Sequence, residues 1–308
     1  MRAAPAALGI TMTALLPECP YIGRFAPSPS GPLHFGSLVS AMASYLDAKA
    51  HHGTWLVRIE DIDPPRELPG AADGILQQLQ QHGLNWDGEI LYQSQRTEAY
   101  LATLEKLQHM GVTYPCQCSR QQLKEQGGLH PCRCKLKDPS APSALRLEAP
   151  TQSQITFNDI FQGQQRQDIK HEVGDVVLHR KDGLFAYQLA VVIDDAFQQI
   201  SHVIRGSDLL DSTPRQICLQ QLLALPTPLY GHIPVAINAD GQKLSKQNLT
   251  PSIDAKTASA NLISAMHWLG LPPPTELIHA DCSELLVWGA ENWRRERVPP
   301  VMERVASS

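Results

Sequence analysis

The sequence lacks both an excess of positive charge and any long apolar run. Its formal net charge is −5 at pH 7, so no global basic field attracts nucleic acid, and an RNA partner would have to use local basic patches. No apolar run approaches the roughly 18 residues of a membrane-spanning helix, which predicts no membrane partner and a cytoplasmic location. Hydrophobic residues make up 43% of the chain, which favours a folded protein over a disordered one.

Cysteine is also scarce, and most of it is concentrated in one short segment. Four of the seven cysteines form the pairs Cys116/Cys118 and Cys132/Cys134. A Gly-Gly turn separates the pairs, so both can converge on one tetrahedral ion, and thiolates are ligands that zinc prefers. This clustering favours metal binding in a reducing compartment over disulfide formation.

Residues 1–20 form the segment that least resembles a folded element. The stretch is alanine-rich, but Pro5, Gly9 and Pro17 interrupt it. We predict a flexible N-terminal extension that precedes the folded part of the chain.

The stretch Tyr21–Asp63 has the pattern of a strand, a helix and a second strand. YIGRF and TWLVRIEDID have the short apolar cores that are typical of strands. Between them, Leu38, Met42 and Leu46 recur every four residues, as on one face of a helix, and Gly53 is a natural stop signal. A helical crossover of this length joins parallel strands, which predicts a parallel α/β sheet.

The loop after the first strand, APSPSGP, is a candidate ligand-binding loop. Pro27, Pro29 and Pro32 restrict its backbone, and Gly31 allows a tight turn. Ligands of open parallel sheets bind beyond the carboxyl ends of the strands, where helix N-termini suit phosphate. His34, at the start of the helix, is therefore a candidate phosphate contact.

Several further elements are predicted from periodicity and turn residues. Helices are predicted over 71–86, 94–111, 212–226 and 258–270, and the third is expected to begin at a capping Ser212 or Thr213. RLEAP and TQSQITFNDIFQG predict short strands and a hairpin, and ISHVIRG predicts a strand.

Two motifs of the chain resemble the signatures of class I aminoacyl-tRNA synthetases. GRFAPSPSGPLHFGS is similar to the nucleotide-binding signature of the glutamyl and glutaminyl enzymes, which ends in His-x-Gly-His. The chain has HFGS at that place, so Ser37 replaces the second histidine and would donate a weaker hydrogen bond. Far downstream, KLSKQ at 243–247 resembles the Lys-Met-Ser-Lys-Ser loop of the same class.

This resemblance implies a fold class and a division of the chain. It implies an α/β, Rossmann-like parallel-sheet catalytic domain with a zinc-containing insertion and a short helical C-terminal part. Residues 21–113 and 179–250 would form the two halves of the catalytic domain. Residues 114–178 would form the insertion and a connecting subdomain, and residues 251–308 the C-terminal part.

The resemblance also implies a pocket for the amino acid glutamate. Arg205 would grip the side-chain carboxylate with its planar fork through two hydrogen bonds, and Glu60 would hold the ammonium group. Tyr187 would belong to the same pocket. The first loop would complete it with Arg24, Phe25, Ala26, Pro27 and Ser28.

ATP would bind, together with magnesium, between the two motifs. The implied ATP-binding residues are His34, Gly36, Ser37 and Lys246, and the implied catalytic residues are His34, Lys243 and Lys246. Two lysines beside a triphosphate can neutralise charge as pyrophosphate leaves, and magnesium would be held largely by the phosphates.

Related synthetases carry a similar cysteine-rich insertion, with a Cys-x-Cys pair, an aromatic residue and a cysteine four residues later. His130 falls on the aromatic position and Cys134 on the last cysteine. The resemblance therefore implies one structural zinc on Cys116, Cys118, His130 and Cys134, with Cys132 as the alternative fourth ligand.

The part that follows the lysine motif is short, whereas full-length glutamyl-tRNA synthetases carry a large anticodon-binding region there. We therefore expect a truncated member of the family that acts as a monomer. Such members activate L-glutamate with ATP and transfer it to queuosine in the anticodon of tRNA(Asp). Two alternatives stay open: a glutamyl-tRNA synthetase-like enzyme that charges a tRNA 3′ end, and a catalytically silent RNA-binding paralogue.

Overall fold

The computed structural model describes residues 20–125, 129, 138, 140–238 and 252–305. Most of the predicted N-terminal extension, the lysine motif and three of the candidate zinc ligands lie outside these residues. Twelve strands are assigned in the described part: β1 Ile22–Phe25, β2 Thr54–Ile59, β3 Leu91–Tyr92, β4 Thr113–Cys116, β5 Ala144–Leu147, β6 Gln154–Asp159, β7 Gly163–Asp168, β8 Val176–His179, β9 His202–Gly206, β10 Leu229–Ile233, β11 Val235–Ile237 and β12 Glu303–Val305. The α-helices of the described part are α1 Phe35–Ala50, α2 Ala71–Gln81, α3 Thr97–His109, α4 Arg120–Glu125, α5 Tyr187–Phe197, α6 Thr213–Leu223, α7 Ala258–Trp268 and α8 Cys282–Asn292.

The main sheet is parallel, with five strands in the order β10-β9-β1-β2-β3. The predicted strand–helix–strand unit is confirmed, because β1 and β2 pair in parallel from Ile22 opposite Thr54 to Phe25 opposite Val57. Helix α1 connects them and packs on β1 and β9. Its residues Leu38, Met42 and Leu46, the predicted apolar face, are completely buried.

Gly53 ends the crossover at a point where only glycine fits. A Cβ atom there would lie 2.7 Å from the backbone oxygen and the side chain of Tyr21. The backbone N–H of Gly53 also donates to the carbonyl of Ala48, which closes the end of α1. The sequence signal for a stop therefore also marks a close approach of two backbone segments.

Smaller sheets flank the main one. Strands β4, β5 and β8 form an antiparallel sheet, and β6 and β7 form the predicted hairpin. The hairpin lies beside β10, where the Ile160 N–H donates to the Tyr230 carbonyl at 2.8 Å. Strand β11 pairs in parallel with β12, so residues 303–305 lie beside residues 235–237. The division of the chain at 113, 178 and 250 stays a prediction.

The C-terminal helices α7 and α8 pack against α1, the helix of the crossover. Asp47, on α1 and fully buried, accepts hydrogen bonds from Trp293 at 2.9 Å, from Arg295 at 2.7 Å and from the Tyr21 hydroxyl at 2.5 Å. Burial opposes the ionisation of Asp47, but the Arg295 guanidinium holds the pKa of that carboxyl below its ordinary value. In the described residues, no helix is both long and apolar enough to cross a membrane.

Candidate active site

A cleft of about 690 Å³ opens at the carboxyl ends of β1, β2 and β9. This is the edge of a parallel sheet where ligands bind. All eleven described residues that were predicted to bind the amino acid or ATP line this cleft: Arg24, Phe25, Ala26, Pro27, Ser28, His34, Gly36, Ser37, Glu60, Tyr187 and Arg205. The structure therefore brings together residues that are separated by up to 181 positions (205 − 24) in the sequence.

Backbone hydrogen bonds hold the proline-rich loop on the floor of the cleft. The Glu60 N–H donates to the Pro27 carbonyl at 3.0 Å, and the Leu68 N–H donates to the Pro29 carbonyl at 3.0 Å. Gly31 has φ of +136°, in a region that side-chain-bearing residues rarely adopt. The loop is thus fixed by its own composition and by the end of β2.

The N-terminus of α1 faces the cleft. His34 directly precedes the helix, no side-chain cap hydrogen bond satisfies its first turn, and that turn contains no acidic residue. His34, Gly36 and Ser37 all line the cleft. Backbone N–H groups and the positive end of the helix dipole therefore point toward this space, an arrangement that suits phosphate.

One side of the cleft carries a network of buried ion pairs, which we call the paired network: Arg24, Arg58, Glu60 and Asp195. Asp195, on α5, accepts from Arg24 Nε at 3.1 Å and from Arg58 Nη1 at 2.7 Å. Arg58 also donates from Nη2 to Glu60 at 3.2 Å. Two buried positive charges thus meet two buried negative charges, as buried ions require.

The two carboxyl groups of the paired network differ in pKa. Burial opposes the ionisation of Asp195, but Arg24 and Arg58 hold its pKa below the ordinary value. Burial raises the pKa of Glu60 above the ordinary value, although Arg58 and Arg24 act in the opposite direction. Glu60 therefore lines the cleft as a carboxyl group whose charged form gains from an additional positive partner.

Arg205 lies in a different environment, which we call the neutral network. Its Nε donates to His232 Nε2 at 2.9 Å, and its Nη1 donates to the Tyr187 hydroxyl at 3.1 Å. Its Nη2 donates to Thr213 Oγ1 at 2.8 Å and to Gln216 Oε1 at 2.9 Å. Within the described residues, Arg205 forms no salt bridge, although it is only 5% exposed.

The donors of Arg205 determine how it can meet a ligand. A guanidinium has five N–H groups, and the four hydrogen bonds above use four of them. The remaining N–H is on Nη1. The neighbouring Tyr187 hydroxyl accepts from the other N–H of Nη1, so its own proton is still able to donate to a ligand. The N–H on Arg205 Nη1 and the O–H of Tyr187 are thus adjacent donors, and the expected grip of a carboxylate by Arg205 stays a prediction.

Behind Arg205, His232 contacts a buried carboxylate. Its Nδ1 lies 2.5 Å from Asp159 Oδ2, and both residues belong to the interface of the β6–β7 hairpin with β10. Burial lowers the pKa of His232 to about 4, against the raising effect of Asp159. Burial opposes the ionisation of Asp159, but its hydrogen bonds from His232 hold its pKa below the ordinary value.

The segments on both sides of residues 239–251 lie at the cleft. Val235 and Ala236 line it before the segment begins, and Ser252 forms a bridge with His34 after it ends. Ile253 also donates its N–H to the Leu33 carbonyl at 3.0 Å. The predicted catalytic residues Lys243 and Lys246 themselves lie outside the described residues.

Two of the candidate zinc ligands are described, at the end of β4. Cys116 is completely buried and Cys118 is half-buried. The backbone N–H of Cys118 donates to the Cys116 sulfur, with 3.4 Å between nitrogen and sulfur. Two cysteines thus lie close together at the end of one strand, and cysteine sulfur is a ligand that zinc prefers. The described residues contain no cluster of three or more potential metal ligands, and His130, Cys132 and Cys134 lie outside them.

Sequence reasoning missed the residues that stand behind the cleft: Arg58, Asp159, Asp195 and His232. Asp195 had a visible signal, since two adjacent aspartates end an apolar stretch and both are buried. Arg58 stands in an otherwise apolar strand, which also calls for a buried partner. Asp159 and His232 had no comparable signal, because each stands among ordinary strand and turn residues.

Comparison with known proteins gives a consistent picture. The family described as tRNA synthetases class I (E and Q), catalytic domain, matches residues 22–266. A protein from Ectopseudomonas mendocina named glutamyl-Q tRNA(Asp) synthetase is 52% identical over 280 residues, which cover 91% of this chain and 95% of that protein. A protein of the same name from Thiobacillus denitrificans is 52% identical over 295 residues, which cover 92% of this chain and 98% of that protein.

Among solved structures, a glutamate tRNA ligase from Elizabethkingia meningosepticum, crystallised with its amino acid, superposes with a TM-score of 0.77. It is 24% identical, and the match covers 93% of this chain and 67% of that one. This likeness concerns the fold, and it agrees with the parallel sheet.

Proposed function

The chain belongs to the glutamyl-Q tRNA(Asp) synthetases of the class I tRNA synthetase family, and on that premise we propose that it activates L-glutamate with ATP and transfers the glutamyl group to queuosine in tRNA(Asp). The observation that carries this proposal is the composition of the cleft. It holds one buried arginine that lacks a carboxylate partner among the described residues, and a carboxyl group with a raised pKa. An amino acid with an acidic side chain complements both.

The glutamate would lie between the two networks. Its side-chain carboxylate accepts from Arg205 Nη1 and from the Tyr187 hydroxyl, and each of these hydrogen bonds to a charged group is worth about 1.5–3 kcal/mol. Its ammonium group binds Glu60, whose charged form it stabilises. Arg24 and the loop from Phe25 to Ser28 enclose the substrate, and Asp195 keeps Arg24 in place.

The activation step requires little covalent work from the protein. The α-carboxylate of glutamate attacks the α-phosphorus of ATP, the bond to the β-phosphate oxygen breaks, and glutamyl-adenylate and pyrophosphate form. The N-terminus of α1, with His34, Gly36 and Ser37, holds the phosphates in line for this attack. Lys243 and Lys246 would neutralise the departing pyrophosphate, a role supported by flanking segments that both lie at the cleft.

In the transfer step, a hydroxyl group on the cyclopentene ring of queuosine attacks the acyl carbon of the adenylate. An ester forms, and AMP leaves with the bonding electrons. The acceptor is supported by the names of relatives that are about half identical to the chain over nearly their whole length.

Two ions complete the proposal. Magnesium would accompany ATP, held largely by the phosphates. One zinc would stabilise the cysteine-rich insertion, with Cys116, Cys118 and Cys134 as ligands and either His130 or Cys132 as the fourth. Metal content of the Cys134→Ser, His130→Ala and Cys132→Ser variants distinguishes the ligand sets, because loss of a true ligand lowers zinc below one per chain.

The central experiment separates activation from transfer. ATP–pyrophosphate exchange that depends on glutamate, and that glutamine and aspartate do not support, is expected without tRNA. Labelled glutamate is then expected on tRNA(Asp) that contains queuosine, and not on the same tRNA without it. Label on unmodified tRNA(Glu) would indicate charging of a 3′ end, and an absence of exchange would indicate a paralogue without catalytic activity. Elution as a monomer in gel filtration would test the expected oligomeric state.

A further inference from the structure

The neutral network continues behind the cleft to the β6–β7 hairpin. Asp159, the last residue of β6, is 4% exposed, and His232 in β10 is completely buried. The two side chains meet through Asp159 Oδ2 and His232 Nδ1 at 2.5 Å, and His232 Nε2 lies 2.9 Å from Arg205 Nε. Three residues from three strands thus form one line that ends at the cleft.

The hydrogen-bonding roles along this line are determined by its two ends. A guanidinium nitrogen only donates, so His232 Nε2 must accept and carries no proton, and Thr213 Oγ1, 3.1 Å from the same nitrogen, can only donate to it. An ionised carboxylate only accepts, so His232 Nδ1 must carry the proton. The imidazole is therefore neutral, in agreement with its pKa of about 4.

The other oxygen of Asp159 is also fully committed. Its Oδ1 accepts the backbone N–H groups of Phe161 and Gln162 at 3.0 Å, and that of His232 at 3.0 Å. The carboxylate therefore cannot rotate without losing three hydrogen bonds. Its orientation is fixed by two N–H groups from the turn of the hairpin and by one from β10 in the main sheet.

We propose that His232 is a positioning residue for glutamate binding: Asp159 holds its imidazole in the Nδ1-protonated tautomer, and its Nε2 orients the Arg205 guanidinium toward the cleft. This inference rests on the proposed function, since glutamate is the ligand that Arg205 would receive. A neutral acceptor aligns Arg205 without pairing its charge directly. A carboxylate in the place of His232 would align the guanidinium equally well, but it would compete with the substrate.

The Asp159→Asn variant tests the tautomer. The three backbone donors require the amide oxygen at the position of Oδ1, so the amide NH₂ faces His232 Nδ1. Nδ1 must then accept, the proton moves to Nε2, and an N–H group opposes the N–H of Arg205. We expect the KM for glutamate in the exchange assay to rise roughly 10- to 100-fold, as for the loss of a charge-assisted contact, while the KM for ATP stays unchanged.

Two further variants distinguish positioning from a merely structural effect. In the Asp159→Asn/His232→Gln double variant, the glutamine side chain has a fixed carbonyl acceptor and no tautomers. Its carbonyl can accept from Arg205, so part of the glutamate affinity should return. Asp175→Asn is the matched control, because Asp175 is a buried carboxylate that accepts from Tyr114 and Ala149 and does not line the cleft. It should leave the KM for glutamate unchanged.

Nitrogen-15 NMR of histidine-labelled protein reports the tautomer directly, with the His232 signals identified by their loss in His232→Gln. We expect a protonated Nδ1 in the unsubstituted protein and a protonated Nε2 in Asp159→Asn. A protonated Nε2 in the unsubstituted protein, an unchanged KM for glutamate in Asp159→Asn, or an equal rise in both KM values would overturn the inference. If the unsubstituted protein shows no exchange, the proposed function fails, while the NMR result still decides the tautomer.

Discussion

Two buried arginines face the same cleft from neighbouring strands, and they differ in what surrounds their charge. Arg24, in β1, is held by the carboxylate of Asp195, which it shares with Arg58. Arg205, in β9, is held by an imidazole, two hydroxyl groups and an amide. Both are at most 5% exposed, so burial does not distinguish them. Arg24 has a carboxylate partner in the protein, whereas Arg205 has none among the described residues, which is what the proposed contact with a glutamate carboxylate requires.

This difference between the two arginines affects the free energy of unfolding. A buried ion pair stabilises little in net terms, but removing one partner leaves an uncompensated buried charge. Arg205 already has that status in the absence of ligand, at least within the described residues. Each of the following four changes acts on one side of this comparison, and they are ordered by the size of the expected effect.

The largest effect is expected from Asp195→Asn, which breaks the paired network. Two guanidinium groups then share only Glu60, so the free energy of unfolding should fall by about 3–5 kcal/mol. Urea denaturation measures it. Asp182→Asn, which alters an exposed ion pair with Arg180, is the control and should leave the midpoint unchanged. An unchanged midpoint in Asp195→Asn would show that Asp195 is not needed to compensate Arg24 and Arg58.

Arg205→Lys should weaken glutamate binding roughly 10- to 100-fold, because an ammonium group cannot reproduce five donors in one plane. Its effect on unfolding should be smaller than that of Asp195→Asn, since no carboxylate loses its partner. Isothermal titration with glutamate measures the dissociation constant, with Arg180→Lys outside the cleft as the control. A dissociation constant equal to that of the unsubstituted protein would exclude Arg205 as the carboxylate contact.

The pH dependence should separate Glu60 from Asp195. The raised pKa of Glu60 means that it takes up a proton earlier as pH falls, and the neutral form loses its attraction for the substrate ammonium. Glutamate affinity should therefore fall as pH drops through the Glu60 pKa, approaching about tenfold per pH unit. The Glu60→Gln variant binds more weakly and should show a flatter profile over the same range. Parallel profiles for the two proteins would refute this role.

Asp195 and Glu60 should contribute to the free energy of unfolding with opposite pH dependences. Because its folded pKa lies below the unfolded value, its contribution is present above the unfolded pKa and is lost as pH falls through the folded one. The folded pKa of Glu60 is raised, so its contribution to the free energy of unfolding is present at low pH and is lost as pH rises through that pKa.

The smallest effect is expected from Tyr187→Phe, which removes one hydrogen bond to the ligand carboxylate and one acceptor of Arg205. Glutamate affinity should fall by roughly 10-fold, at the low end of the range for a hydrogen bond to a charged group, because the contact from Arg205 remains. Tyr114→Phe, whose hydroxyl group donates to Asp175 outside the cleft, is the matched control. A loss as large as that of Arg205→Lys would mean that Tyr187 contributes more than one hydrogen bond.

The sequence allowed the floor of the cleft to be predicted, because its signals are local. Three prolines, Gly31 and the four-residue periodicity of α1 specify the strand–loop–helix unit within about 40 residues. The parallel pairing of β1 and β2 then follows from the length of the crossover. The resemblance to a known family supplied the more distant residues of the cleft, and the fold places all of those that are described on its lining.

The networks behind the cleft could not be predicted, because their partners are far apart in the sequence. Arg24 and Asp195 are separated by 171 positions, and Asp159 and His232 by 73. Thr213 shows the limit most clearly. Ser212 or Thr213 was expected as a helix cap. Ser212 stands at the N-cap position without a side-chain cap hydrogen bond, and Thr213 is the first residue of α6, where its hydroxyl group accepts from Arg205. A capping residue and a ligand of a guanidinium look the same in sequence, since only the tertiary fold decides which donor arrives.

The hydrogen bond between Trp293 and Asp47 makes one end of helix α1 accessible to a spectroscopic measurement. Helix α1, about 24 Å long at 1.5 Å per residue, has its first turn at the cleft and its last turn near the contact with Trp293. The indole of Trp293 is an intrinsic fluorophore whose N–H is tied to that same helix. The chain has five tryptophans, so the difference in emission between the unsubstituted protein and Trp293→Phe isolates the signal of this indole. That signal reports contact between the C-terminal part and the end of α1 that lies away from the cleft.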